Sequence, residues 1–340
     1  IHISDEAVQD QEEQIDLVTI SPQTVSDPQL TAVFPGLDHA VQPIQDPQQE
    51  YNKITQKLAE LQRQRAQSPQ TKSPLTPPKA TMILMGICLV IYLLSVVFSW
   101  MFRELGGSGE VSVSVAILLG GYYKAFVVGA HEYWRWLTSA FVHVDLWHLL
   151  MNMMALYNMG MLCEKLMGVR NYLIILFGSI LFGSAFVFLG SGNVVAMGIS
   201  GGLYGLLAAF LVYGIQTRIL FQPQLRTQFL LILMINLMIS LMPGVSLAAH
   251  FGGFVGGLLI SVVLTRNDSW AQLRKNTMVA LCVAVVFLGL KTVQPQAREL
   301  DTIYPGTDRM VVEMLKDLHL DFYGDHLSKK MVETYVGSSL

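Results

Sequence analysis

Charge is scarce in this sequence: Asp, Glu, Lys and Arg make up 14% of its 340 residues, against roughly 25% in ordinary soluble domains. That scarcity excludes a conventional water-soluble surface, and 52% hydrophobic residues place the chain among polytopic membrane proteins. A basic face is missing too. The net charge is -3 and the 22 Lys and Arg are scattered, so nucleic acid is not an expected partner. Cysteine is nearly absent. Cys88, Cys163 and Cys282 lie in or beside apolar segments without CxxC or Cys/His spacing, and they are expected to pack as small hydrophobes. No metal site and no cofactor are expected. No secretory signal peptide is visible, and a first residue Ile1 is what a trimmed chain or a natural fragment would give.

What is present falls into regions. Residues 1–79 are polar and rich in Gln, Asp, Glu and Pro, too poor in apolar area for a substantial core. They are expected to form a cytoplasmic arm with a helix near 50–67, where Tyr51, Ile54, Leu58 and Leu61 share a helical spacing. The proline-rich linker SPQTKSPLTPPK follows. The segment TAVFP leaves a second reading open, the remnant of a folded domain. From residue 80 onward come apolar runs near the ~20 residues that span a bilayer, at 81–102, 146–166, 171–190, 199–216, 227–243, 247–265 and 276–292. The expected fold class is therefore all-α and polytopic: a six-helix core over 80–265, a loop and a seventh span over 266–292, and a polar tail over 293–340. An amphipathic piece of that tail carries Met310, Leu315, Leu318 and Leu320 and is expected at the surface.

Orientation follows from the short loops. Arg170 follows the second run with Lys165 just before it, Arg218 and Arg226 follow the fourth, and Arg266, Arg274 and Lys275 the sixth, while 191–198 and 244–246 carry no Lys or Arg. Positive charge stays on the cytoplasmic side, which puts the N-terminus inside, the loop 103–145 outside and the C-terminal tail outside. In this topology the second, fourth and sixth runs all enter from the outer face. Near those entries lie His148 and Asn152, four apart on one helix face, then Ser200 and Tyr204 in GISGGLYG, then His250 in AAHFGGFVGG. Polar groups within a bilayer are costly and gather at a bundle interior or a wet cavity.

Amide hydrolysis needs a nucleophile, a base that passes its proton to the leaving amine, and donors aimed at the developing oxyanion. Ser200, His250 and the pair His148 and Asn152 match those requirements. Gly198, Gly201 and Gly202 leave the backbone around Ser200 uncrowded. Gly253 and Gly257 form one GxxxG, with Gly252 and Gly256 as a second, a pattern that lets membrane helices approach closely and would bring His250 to Ser200.

Trp134-Arg135, His143 with the HLLMN run, Glu164, GISG and AHFGGFVGG occur in that order, and over residues 80–265 the chain resembles the rhomboid intramembrane serine proteases. The resemblance implies a Ser200–His250 dyad without an Asp, His148 and Asn152 as oxyanion donors beside the Ser200 amide, and Tyr204 stacked on His250. It also implies Arg135 bracing the first loop against Glu164 or the chain near it, the fifth run as a substrate-side gate, and a six-plus-one form with the extra span C-terminal. Expected partners are transmembrane protein substrates cut near the outer face, the lipid bilayer of a bacterial cytoplasmic membrane, and a protein partner for the N-terminal arm.

Ordinary readings stand beside these. A lone GxSG can simply pack helices, His143 can be a loop residue, and Trp134, Trp136 and Trp147 read as interfacial anchors. Met151, Met153, Met154, Met159 and Met161 read as packing, and Asn236 and Ser240 as hydrogen bonds between helices. Two other function classes compete: a membrane chaperone or adaptor holding transmembrane clients, in which Ser or His is lost, and a transporter or channel, which calls for repeats or charges deep in several helices. The chain keeps Ser200 and His250, and the interiors of the third, fifth and seventh runs hold no such charge.

Overall fold

The computed structural model describes residues 78–102, 111–190, 192–294, 300 and 302–337, with short pieces at 2–3, 19–20, 52–53, 55–57 and 60. The chain divides into two units, Ile1–Thr76 and Pro77–Leu340. In the first, strands β1 (His2–Ile3) and β2 (Thr19–Ile20) pair in parallel, and the described residues between 52 and 60 are helical. The remainder of the expected arm, the TAVFP segment and almost all of the linker lie outside the described residues.

The second unit opens with α1 (Lys79–Met101), whose buried residues Thr81, Leu84, Cys88, Tyr92, Ser95 and Ser99 recur every three or four positions. This gives the helix one inward stripe, and Ile83, Leu89, Val90, Leu93 and Val97 are left facing outward. The first loop is itself folded. It holds α2 (Val113–Leu118), capped by the Ser112 hydroxyl, then β3 (Tyr122–Tyr123), α3 (Lys124–Gly129) and α4 (Arg135–Thr138).

Next, α5 (Leu146–Ala155) starts at Asp145, whose carboxylate accepts from the His148 N–H at 2.6 Å. It runs through a π-turn (Leu156–Gly160) into α6 (Met161–Leu189). Inside α6 the glycine Gly168 has φ 78° and ψ 155°, which no helix contains. The chain folds back there. Thr81 Oγ1 reaches both Glu164 Oε2 (2.7 Å) and Tyr172 Oη (3.2 Å), residues that a straight helix would hold about 12 Å apart. The stretch 146–189 is therefore two arms, corresponding to the second and third apolar runs. After β4 (Val195–Ala196), which pairs antiparallel with β3, come α7 (Ser200–Gln216), α8 (Pro223–Ser240), α9 (Leu247–Leu264) and α10 (Ala271–Thr292).

Helical segments 79–101, 146–189, 247–264 and 268–292 are long and apolar enough to cross a membrane, and α7 is apolar but shorter. The architecture is all-α and multi-spanning, centred on α6, α7 and α9. Glycine makes that centre possible. A Cβ on Gly253 would lie 2.1 Å from the Gly201 carbonyl oxygen, and one on Gly257 would lie 2.3 Å from Gly205 Cα, so the backbones of α7 and α9 touch.

The C-terminal tail, expected as a surface segment, is folded and docked. Helices α11 (Pro305–Asp317) and α12 (Asp321–Gly337) form a hairpin whose Val311, Met314, Leu315, Leu327 and Met331 are buried. Most of these pack on Ile117, Tyr123, Ala125 and Phe126 of the first loop. Of the four residues expected to form the amphipathic piece only Leu315 is buried, while Met310 and Leu320 are exposed; the buried stripe is Val311, Met314 and Leu315, and its partner is the apolar underside of a loop nearly 200 residues earlier, which periodicity alone does not identify.

Candidate active site

The site is assembled where α5, α7, α8 and α9 begin or end. Helix α7 starts at Ser200, two residues after Gly198, which has φ +105°, a conformation L side chains rarely adopt, and whose N–H donates to the Ser139 carbonyl at 2.9 Å. Space forbids a side chain there as firmly as the dihedral does. A Cβ on Gly198 would lie 2.8 Å from His148 Cε1 and Nε2. The loop before Ser200 thus lies against the His148 ring edge. The first N–H groups of a helix lack intrahelical partners, and the Ser200 N–H belongs to that turn.

Residues Ser200 and His250, fifty positions apart in the chain, meet with Nε2 and Oγ 2.8 Å apart. The His250 imidazole is 5% exposed, and the Tyr204 ring stacks on it with centroids 4.2 Å apart and planes at 13°. On α5, Asn152 Nδ2 donates to the His148 carbonyl at 2.9 Å. That bond uses one of the two amide protons and leaves the other for the space beside Gly198. His143 is fully buried behind His148, with ring centroids 5.1 Å apart, and its Nδ1 lies 3.3 Å from the Phe141 carbonyl. Burial, reinforced by His148, lowers the His143 pKa to about 3, so that ring stays neutral and shapes the wall behind His148.

The loop residues brace one another in a different pattern from the one expected. Arg135 does not meet Glu164. Its guanidinium pairs with Glu132 and donates to the carbonyls of Ile117 (2.6 Å) and Gly121 (2.9 Å), and it lies against the exposed Trp134 ring at 4.5 Å. Glu164 instead caps the start of α1, accepting from the N–H groups of Ala80 and Thr81 and from Thr81 Oγ1. The reason is that an unpaired helix N-terminus attracts a carboxylate, whereas the planar Arg135 fork can hold a carboxylate and two carbonyls within its own loop.

Residues 130–267 match the Rhomboid domain family. Over these residues the chain carries a rhomboid domain. Among rhomboid relatives, "Rhomboid protease GluP" of Bacillus subtilis is 28% identical over 200 residues, 57% of this chain and 39% of that protein. "RHOMBOID-like protein 1" of Arabidopsis thaliana is 32% identical over 151 residues, 43% of this chain and 38% of that protein. A third, "Inactive RHOMBOID-like protein 8" of the same plant, is 29% identical over 158 residues, 45% of each chain. The chain thus matches about two-fifths of the length of the first two relatives. It is an integral, multi-pass membrane protein.

Several participants gave no sequence signal of their role. Ser139 holds the Gly198 loop, Thr81 receives Glu164, and Ser240, read as an ordinary interhelical contact, touches the His250 ring at 2.8 Å. None lies within a helical turn of its partner, so no local pattern records these pairs.

Proposed function

We propose that this rhomboid protein is a serine endopeptidase that hydrolyses a peptide bond in or beside a transmembrane segment of a substrate protein, near the outer face of the membrane. The observation that carries this reading is the 2.8 Å approach of His250 Nε2 to Ser200 Oγ beneath the stacked Tyr204 ring. Ser200 attacks the scissile carbonyl while its proton passes to Nε2; that proton then goes to the leaving amine, and water enters by the same route to release the acyl group. The tetrahedral oxygen is received by the Ser200 N–H, the Asn152 amide and the His148 ring. Arg135, Trp134, Glu164 and His143 support the loop and the helix ends around this centre, and Gly201, Gly253 and Gly257 bring α7 and α9 together.

The outer-face assignment rests on the loop charges, with Arg and Lys at the opposite ends of the relevant runs from Ser200 and His250. The same rule puts the N-terminal arm in the cytoplasm, where a partner protein can bind it, and the tail hairpin outside. An inactive relative keeps the alternative of a client-holding adaptor in view, and retention of both Ser200 and His250 argues against it. The test is a cleavage assay with a single-span substrate in proteoliposomes, comparing the full chain with Ser200→Ala. Loss of cleavage is expected. Equal cleavage by purified Ser200→Ala would refute the assignment.

A further inference from the structure

The proposed chemistry uses one nitrogen of the His250 ring; the other is also engaged. Nδ1 lies 2.8 Å from the hydroxyl of Ser240, the last residue of α8 and 2% exposed. Ser240 Oγ in turn donates to the Asn236 carbonyl at 2.9 Å, and the Tyr204 phenol bonds both that carbonyl and Ser240 Oγ. A serine bonding back to the carbonyl four residues earlier is ordinary helix behaviour. Reaching a ring nitrogen on another helix is more than that behaviour requires. Among the described residues the hydrogen-bond partners of the His250 ring are two hydroxyls, Ser200 and Ser240. The proton positions follow consistently. An Nδ1–H donates to Ser240 Oγ, the Ser240 proton goes to the Asn236 carbonyl, and Nε2 is left bare toward Ser200.

The setting of Ser240 adds a consequence. Helix α8 buries only two residues, Phe229 near its start and Ser240 at its end. Phe229 packs with Leu207 and Leu220, so the far end of α8 is tied to the bundle chiefly through the polar group around His250. Moving that end outward removes the partner of Nδ1.

We propose that Ser240 is the positioning residue of this site, holding His250 in the tautomer that accepts the Ser200 proton and linking that orientation to the closed seat of α8. The proposal rests on the Ser200–His250 reading, and its test separates the two. The full chain in nanodiscs is compared with Ser240→Ala, Ser240→Cys, Ser240→Thr and Ser200→Ala on a single-span fluorogenic substrate, with kcat, KM and melting recorded for each. Loss of one hydrogen bond predicts about a tenfold fall in kcat for Ser240→Ala, with KM unchanged or lower because α8 is freed. Ser240→Thr, which keeps the hydroxyl, should stay within about threefold of wild type. Labelling of Ser200 by a fluorophosphonate should slow in step with kcat. If the Ala variant melts early, the near-isosteric Cys variant, whose thiol is a poor partner for Nδ1–H, carries the comparison and should fall toward the Ala rate. Wild-type kcat in both Ala and Cys variants, a loss confined to KM, or no rescue by a stably folded Thr variant would each overturn the role of Ser240. Turnover retained by Ser200→Ala would overturn the dyad itself, whatever Ser240 does.

Discussion

Helices α8 and α9 are neighbours in the chain and each 18 residues long, α9 apolar throughout and α8 apolar after its polar opening PQLRTQ, yet the bundle holds them in opposite ways. Helix α9 is sunk into α6 and α7 through glycines whose missing side chains let backbones touch. Helix α8 turns Leu230, Met234, Ile235 and Met238 outward and keeps only Phe229 and Ser240 inside. The imidazole thus stands on a helix that cannot shift without disrupting the core, while its orienting hydroxyl stands on one that can. The proposed protease needs both properties, since catalytic geometry must be preorganised and a bulky substrate helix must find a way in.

The strongest way to break this contrast is at the chemistry on the rigid side. Ser200→Ala and His250→Ala should each abolish cleavage, and the double variant should be hardly worse than either because they act as a unit; single-turnover assays check this. Next is the seam itself. Gly257→Leu places a side chain where even a Cβ would be 2.3 Å from Gly205 Cα, and it should cost at least ~3 kcal/mol and lose the fold, read by melting in detergent. Removing one donor from the oxyanion group, with Asn152→Ala, should lower kcat by ~10²-fold with KM little changed.

A smaller effect is expected at the tail hairpin, which is fastened by the buried Asp308 accepting from Tyr123 (2.8 Å) and Tyr335, and by Tyr323 donating to Glu132. Burial raises the Asp308 pKa above its ordinary 3.8, against the opposing pull of the tyrosine hydrogen bonds. A carboxyl with a raised folded pKa contributes stability that is full below the unfolded value and is lost as pH rises through the folded one. Hydrogen exchange in α11 and α12 should therefore slow as pH falls from neutral toward 4, after correction for intrinsic rates, and Asp308→Asn should flatten that dependence. The smallest effect completes the contrast: Leu230→Ala on the outer face of α8 should change stability by less than ~0.5 kcal/mol while leaving cleavage near wild type.

Much of this was readable beforehand because it is local. Apolar run lengths announce helices, and glycines four apart announce a close seam, since both depend on residues within a turn or two of each other. The residues of the candidate site were also conspicuous, because polar groups at the ends of apolar runs stand out against their surroundings. The partner of Arg135, the capping role of Glu164 and the docking of the tail were not readable. Each is a choice among several chemically suitable partners, and distance in space, not spacing along the chain, makes it.

Residue order alone dictates a bundle of apolar helices, with hydroxyl, imidazole and amide groups brought to one level by where those helices begin. Packing in three dimensions sets which nitrogen of His250 meets Ser200 and which meets Ser240, and closes the tail over the first loop. Burial and periodicity fix a residue's environment from its neighbours in the chain, whereas a hydrogen bond is set by the last ångström between groups that only the packed fold brings together.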